Sequence, residues 1–202
     1  MKEIEYYYSV SSVFAYFGSK RLTELAHCHN VRIIHKPIFH GTVVPATGGC
    51  RFRETSPIRK SHFFREVNRW SKFLQIPVVS GDPKYHYGDR ELPSGMVIAA
   101  QRNGDDVDSL SFHIAEALWR DDRDIANKEV LRELAMSINI DAEKLLEDAM
   151  LPIIQDEYER NSIEGVKKGV FGSPTYIVDG EPFWGQDRLE FVNRTLTAKT
   201  NN

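Results

Sequence analysis

The chain has 202 residues, and its 26 Lys plus Arg against 29 Asp plus Glu give a formal charge of −3, which offers no basic field for nucleic acid. Hydrophobic residues at 41% and aromatics at 11% suffice for a packed core and exclude a disordered or collagen-like chain. Apolar stretches are strand-sized and broken by charges, short of the roughly 18 residues that cross a bilayer.

The segment Met1-Lys2-Glu3-Ile4-Glu5 runs straight into tyrosines without an apolar signal core. The expected setting is therefore cytoplasmic, with no membrane partner. Cys28 and Cys50 form neither a CxxC pair nor a Cys/His spacing. None of the 7 histidines pairs with a carboxylate in a metalloprotease pattern, so no metal is assigned.

In chain order, β-branched and aromatic residues over 4–10 predict a buried strand. Phe14, Phe17, Leu22, Leu25 and Ala26 then fall at helical spacing, predicting a helix over about 12–29 capped by a serine. A second strand over 31–37 completes a β-α-β unit, parallel if the helix is a crossover. Residues 39–57, rich in Gly, Thr and Pro, read as loop, and residues 61–74 as helix. After a polar, turn-rich stretch over 81–95, helices are predicted at 96–102, 109–120, 128–138 and 142–164. Asn139 or Asp141 caps the last, and Gly165 interrupts it near its end. Strands at 174–178 and 181–184 flank Asp179-Gly180, a two-residue hairpin signal, and a helix over about 186–196 precedes the polar tail at 197–202. This order predicts an α/β, thioredoxin-like fold with an all-helical insertion: residues 1–38 and 166–202 form the thioredoxin-like part, and residues 39–165 the connecting loops and helices.

The first strand-to-helix junction invites chemistry, because a helix N-terminus presents unpaired N–H groups and partial positive charge. Ser11 or Ser12 there either caps the helix or donates to a thiolate or oxyanion held against its end. Asp187, at the start of the last helix, either caps it or faces an ammonium group. Cys28 reads as a small core or surface residue, and Cys50 as a loop thiol beside Arg51 and Arg53. Tyr6, Tyr7, Tyr8, Trp70 and Trp119 read as core, while Phe39, Trp184 or His62 could line an aromatic pocket.

The run Gly169-Val170-Phe171-Gly172-Ser173-Pro174-Thr175, then Val178-Asp179-Gly180, then Phe183-Trp184-Gly185-Gln186-Asp187-Arg188-Leu189 resembles the 2-hydroxychromene-2-carboxylate isomerases. These belong to the kappa-class glutathione transferase branch of the DsbA-like proteins. Ala46-Thr47-Gly48, Arg69-Trp70 and Ala117-Leu118-Trp119 extend the likeness over nearly the whole chain.

The resemblance implies a glutathione-dependent isomerase of an aromatic keto acid that works through a transient glutathione adduct, with a small aromatic substrate and a homodimeric state. It makes Ser12 the catalytic serine, where redox relatives carry the first cysteine of CxxC; the tetrad here is Ser12-Val13-Phe14-Ala15. It makes Ser173-Pro174 the cis-proline step whose backbone pairs with an extended peptide. Asp187 would receive the γ-glutamyl amine, Gln186 would help to hold the γ-glutamyl carboxylate, and Arg59, where kappa proteins use lysine, would meet the glycine carboxylate. Val13, Phe14, Gly49 and His62 depart from the family pattern, which bears on the chromene substrate more than on glutathione. The alternatives are a kappa-like transferase or peroxidase and a non-catalytic glutathione- or peptide-binding protein.

Overall fold

The computed structural model describes residues 2–198; the part of the expected polar tail from residue 199 onward lies outside them. Strand β1 (Glu3–Tyr8), helix α1 (Val13–His29) and strand β2 (Arg32–Pro37) form the β-α-β unit, with β1 and β2 parallel. Helices α2 (His40–Ala46), α3 (Pro57–Leu74), α4 (Glu91–Asn103), α5 (Val107–Trp119), α6 (Lys128–Ser137), α7 (Ala142–Ala149) and α8 (Pro152–Lys167) follow, before strands β3 (Thr175–Val178) and β4 (Glu181–Trp184) and helix α9 (Leu189–Ala198). The sheet order is β2-β1-β3-β4, with β3 antiparallel to both its neighbours. This is the thioredoxin-like α/β arrangement expected from the element order.

Both sheet faces are covered, so β1 is buried along most of its length rather than alternating. Ile4, Tyr6 and Tyr8 join the main core with α1, α4 and α5, while Tyr7 turns to a smaller cluster with Ile38, Val43, Val170 and Ile177. Tyr6 stacks on Tyr8 at 4.0 Å and on Tyr176 at 5.4 Å between ring centroids. The Tyr8 hydroxyl bonds Ser111 Oγ at 2.7 Å and His35 Nδ1 at 2.9 Å, so these polar tips are satisfied inside the core.

Several boundaries differ from expectation for local physical reasons. The stretch read as loop holds α2 and a 3-10 turn at Phe52–Glu54, because Val43 is buried in the second cluster and the Phe39 N–H is taken by Ser162 Oγ at 2.9 Å. Helix α3 begins four residues early, where Ser56 caps it and Pro57 occupies the first turn. Helix α4 begins at Glu91 and runs through Gly95, whose missing side chain lets α4 lie against the Ala149 carbonyl. The single helix expected over 142–164 is two: Asp141 caps α7, and Pro152, which has no N–H to give, starts α8. Gly165 does not break α8; it sits inside it, with the Tyr7 ring where a side chain would go. The final helix opens as a 3-10 turn at Gln186–Arg188 before α9.

Candidate functional site

Ser12 caps α1: its Oγ accepts from the Ala15 N–H at 3.3 Å and donates to the Ser173 carbonyl at 3.3 Å. With the Ser12 N–H bonded to Ser9 O, the Val13 and Phe14 N–H groups are left without acceptors among the described residues. The helix end therefore offers two free donors beside a hydroxyl, a setting that stabilises an anion. Ser173 approaches from the segment before β3, where its Oγ accepts from the Ser9 N–H at 3.0 Å and the Ser173-Pro174 peptide is cis.

These groups open into a cleft of about 920 Å³ bounded by the β1–α1 loop, α2, the 3-10 turn, the start of α3 and the turn ahead of α4. Phe14, Phe39, Phe52, Phe63 and Trp184 make its aromatic wall. Phe63 meets Phe52 at 4.6 Å and Phe14 at 5.6 Å between ring centroids. Arg51, Arg53, Arg59 and Arg90 supply positive charge against Glu54 and Asp89.

Three of these arginines are engaged. Arg51 donates to Gly41 O, Arg53 lies over the Tyr87 ring at 4.3 Å, and Arg90, buried, donates to the carbonyls of Tyr85, His86 and Asp89. Burial pushes the Arg90 guanidinium down to about 10. Arg59 is exposed, and its guanidinium has no partner among the described residues, so its charge is available to a ligand.

The other expected ligand residues lie beside the cleft rather than in its wall. The Gly185 N–H bonds Pro174 O at 2.9 Å, which sets the turn carrying Gln186 and Asp187 against the cis-proline. Gln186 is buried, and its Oε1 accepts from Arg21 Nη1 at 2.7 Å. An arginine only donates, so this bond fixes the amide orientation and leaves the Gln186 NH₂ as the free end. Asp187 is exposed and pairs with Arg188 at 2.7 Å. Of the candidate aromatic wall, Phe39 and Trp184 are in place, but His62 stands exposed on α3 outside the cleft. Cys50 borders the cleft, Cys28 is exposed, and both are free thiols.

The turn ahead of α4 carries no motif that marks it in the sequence. Here Asp82 Oδ1 bonds His86 Nδ1 at 2.5 Å, and Asp82 Oδ2 accepts from the Tyr87 hydroxyl at 2.7 Å. The His86 ring meets Trp119 edge to face at 4.9 Å, and Trp119 Nε1 donates to Ser11 O at 2.9 Å, so the imidazole is joined to the Ser12 loop through one indole. His86 lines the cleft, and its Nε2 has no partner among the described residues. His40 on α2 also lines the cleft; burial drops it to about 4, and its Nε2 is buried without a partner. The four-residue spacing of Asp82 and His86 is visible in the sequence, but in a turn-rich segment it carries none of the meaning it has on a helix.

A serine at the helix N-terminus, facing a cis-proline step in a four-stranded mixed sheet, defines a thioredoxin-like protein without the redox cysteine. Over residues 3–197 the chain matches the family described as DSBA-like thioredoxin domain, and it belongs to that family. It is 27% identical over 197 residues to a 2-hydroxychromene-2-carboxylate isomerase of Sphingobium xenophagum, covering 96% of this chain and 98% of the relative. It is 23% identical over 207 residues to glutathione S-transferase kappa 2 of Caenorhabditis elegans, covering 95% of this chain and 90% of the relative. The solved structure of a 2-hydroxychromene-2-carboxylate isomerase superposes with a TM-score of 0.81 at 19% identity, covering 98% of this chain and 96% of that one. The resemblance carried by the C-terminal motifs is thereby matched over nearly the whole chain. Among the described residues no helix is long and apolar enough to cross a membrane.

Proposed function

We propose that this chain is a glutathione-dependent isomerase of an aromatic keto acid resembling 2-hydroxychromene-2-carboxylate. The observation that carries this reading is Ser12, a hydroxyl at the N-terminus of α1 where a redox-active member of the fold needs a thiol, opening onto an aromatic cleft. The names of the relatives at 27% and 23% identity support isomerisation and glutathione respectively.

The residues present fit the tripeptide. Ser12 and the free N–H groups of Val13 and Phe14 suit a thiolate. Arg59 offers an unpaired guanidinium to a carboxylate. Beside the cleft, exposed Asp187 would offer an acceptor to an ammonium group, and Gln186, buried next to it with its Oε1 held by Arg21, would have its NH₂ left for a second carboxylate. Bound glutathione would supply a soft nucleophile able to add to, and leave, a conjugated double bond.

The chain's own work is then positional and electrostatic. With glutathione bound, Ser12 would exchange its 3.3 Å bond to Ser173 O for one to sulfur, which would lower the cost of the thiolate. The aromatic wall excludes water and stacks the ring of the keto acid, and the cleft arginines balance its carboxylate.

Calorimetric titration with reduced glutathione, on the wild type and on Asp187→Ala, tests the cofactor; isomerisation followed by absorbance, with and without glutathione, tests the reaction. Saturable binding weakened in the variant, with turnover that needs but does not consume glutathione, is expected. Absence of binding overturns the reading. Stoichiometric consumption of glutathione would instead favour the transferase activity named for the nematode relative.

A further inference from the structure

We propose that His86, oriented by Asp82, is the acid–base residue of this cleft and moves the proton when the cyclic form of the aromatic keto acid opens; this rests on the substrate class proposed above. A 2-hydroxychromene-2-carboxylate carries a hydroxyl and the ring oxygen on one carbon, a cyclic hemiketal. Its double bond cannot turn while the ring is closed. Opening needs a proton taken from one oxygen and given to another, and neither Ser12 nor the arginines can do both.

The geometry supplies what such a group requires. The Asp82 carboxylate accepts from His86 Nδ1 at 2.5 Å, which fixes the tautomer and leaves the Nε2 lone pair free. That nitrogen has no partner among the described residues and belongs to a side chain lining the cleft. The ring is held edge-on to Trp119 at 4.9 Å, the Tyr87 hydroxyl occupies the second Asp82 oxygen, and Arg90 grips the His86 carbonyl, so the imidazole is fixed from three sides.

The step balances. Nε2 takes the proton of the hemiketal hydroxyl as the carbon–oxygen bond of the ring breaks. The bonding pair goes to the phenolic oxygen, a carbonyl forms, and Nε2 returns the proton to the phenolate. His86 ends as it began, with no oxidant or reductant required.

The charged and titratable groups facing His86 are Asp82 and Tyr87 from its own turn, Arg53 from the 3-10 turn, Arg90 ahead of α4 and His40 from α2. Burial lowers His86 below the ordinary histidine value, helped by Arg90 and Arg53 and opposed by Asp82. It is thus neutral, and able to accept a proton, at pH 7.

Ring opening needs no thiol, so it is measured without glutathione. The rate of interconversion of the closed and opened forms is read by NMR exchange spectroscopy over pH 4–8, with wild type, His86→Gln and Asp82→Asn. Acceleration by the wild type is expected, persisting below the ordinary histidine value of about 6.5 and lost only at the lower pH where the buried His86 takes up its proton. His86→Gln should lower it on the order of 10²-fold and abolish the acid limb. Asp82→Asn should keep a limb and move it to lower pH, a displacement that a merely structural residue would not cause and that holds the test even if His86→Gln fails to fold. Equal acceleration by wild type and His86→Gln, or none by the wild type, overturns the proposal. Acceleration that His86→Gln loses, in a protein that shows no calorimetric binding of glutathione, supports His86 and overturns the cofactor reading alone.

Discussion

The Ser12 hydroxyl accepts from the Ala15 N–H and donates to the Ser173 carbonyl, both at 3.3 Å, so one side chain ends α1 and ties it to a segment 161 positions away. The capping role that these bonds establish is therefore compatible with the catalytic role proposed for the same hydroxyl.

Ser12→Ala separates them by magnitude. Losing the cap should cost about 1 kcal/mol, a drop of about 2–4 °C in Tm for a chain of this size. Losing a donor to the thiolate should cut turnover on the order of 10²-fold. Thermal unfolding and steady-state kinetics on one preparation check both, and full activity in a slightly destabilised variant would leave the serine as a cap alone.

Two arginines should affect glutathione binding by different routes. Arg59→Ala removes an exposed guanidinium with no partner among the described residues, so Tm should stay constant while affinity falls about tenfold, the size of one charged hydrogen bond. Arg21→Met touches no ligand; it releases the Gln186 amide, whose Oε1 it holds at 2.7 Å, and should weaken binding by a comparable factor with some loss of stability. Calorimetry beside thermal unfolding distinguishes the two, and unchanged affinity in Arg59→Ala would remove that residue from the site.

The hairpin at Asp179-Gly180, the parallel pair around α1 and the Ser12 cap were legible because each rests on neighbours in sequence: a turn dipeptide, a change of period, a hydroxyl before a helix. The break before Pro152 was equally local, yet the apolar periodicity on both sides concealed it. Helix α2 was hidden because Gly41, Thr42 and Pro45 disfavour a helix that only the burial of Val43 rewards. The Asp82–His86 pair becomes meaningful only when Trp119, 33 positions beyond His86, packs on the ring. Gln186 and Asp187 were legible as a motif, whereas the engagement of Gln186 by Arg21 depends on how α1 passes the last turn.

Histidine burial should make the fold sensitive to mild acid. His40 is held at about 4 by burial, with His86 adding repulsion, against about 6.5 in an unfolded chain. Between those values the unfolded state binds a proton that the folded state refuses, so stability falls as pH drops from 6.5 to 4, by at most about 3 kcal/mol for this residue. His86, lowered also, acts in the same direction. Glu164 belongs to a lower window: burial would raise it, but the bonds from Lys168 and Lys36 outweigh that and hold it at about 2, so its stabilisation is lost as pH falls from 4.5 toward 2. Chemical denaturation of wild type and His40→Leu from pH 7.5 to 4 should show a shallower decline in the variant, with near-equal stability at pH 7; parallel curves would mean that His40 titrates normally.

Gly95 sets two effects against each other. In a helix interior alanine is favoured over glycine by about 1 kcal/mol, so Gly95→Ala in α4 would ordinarily stabilise. Here the added Cβ would lie 2.3 Å from the Ala149 carbonyl oxygen and 2.8 Å from Gln155 Nε2. The glutamine can swing away, but the carbonyl is backbone at the end of α7 and also accepts the Gln155 amide at 2.6 Å, so the helices must separate. Overpacking of this kind costs about 1–3 kcal/mol, and the loss of the Gln155 bond adds to it, so the clash outweighs propensity and the net change is a destabilisation on the order of 1–2 kcal/mol. Urea unfolding should show a lower midpoint with an unchanged slope, because the exposed surface does not change. A midpoint at or above that of the wild type would mean that α4 and α7 lie farther apart than the close approach at Gly95 requires.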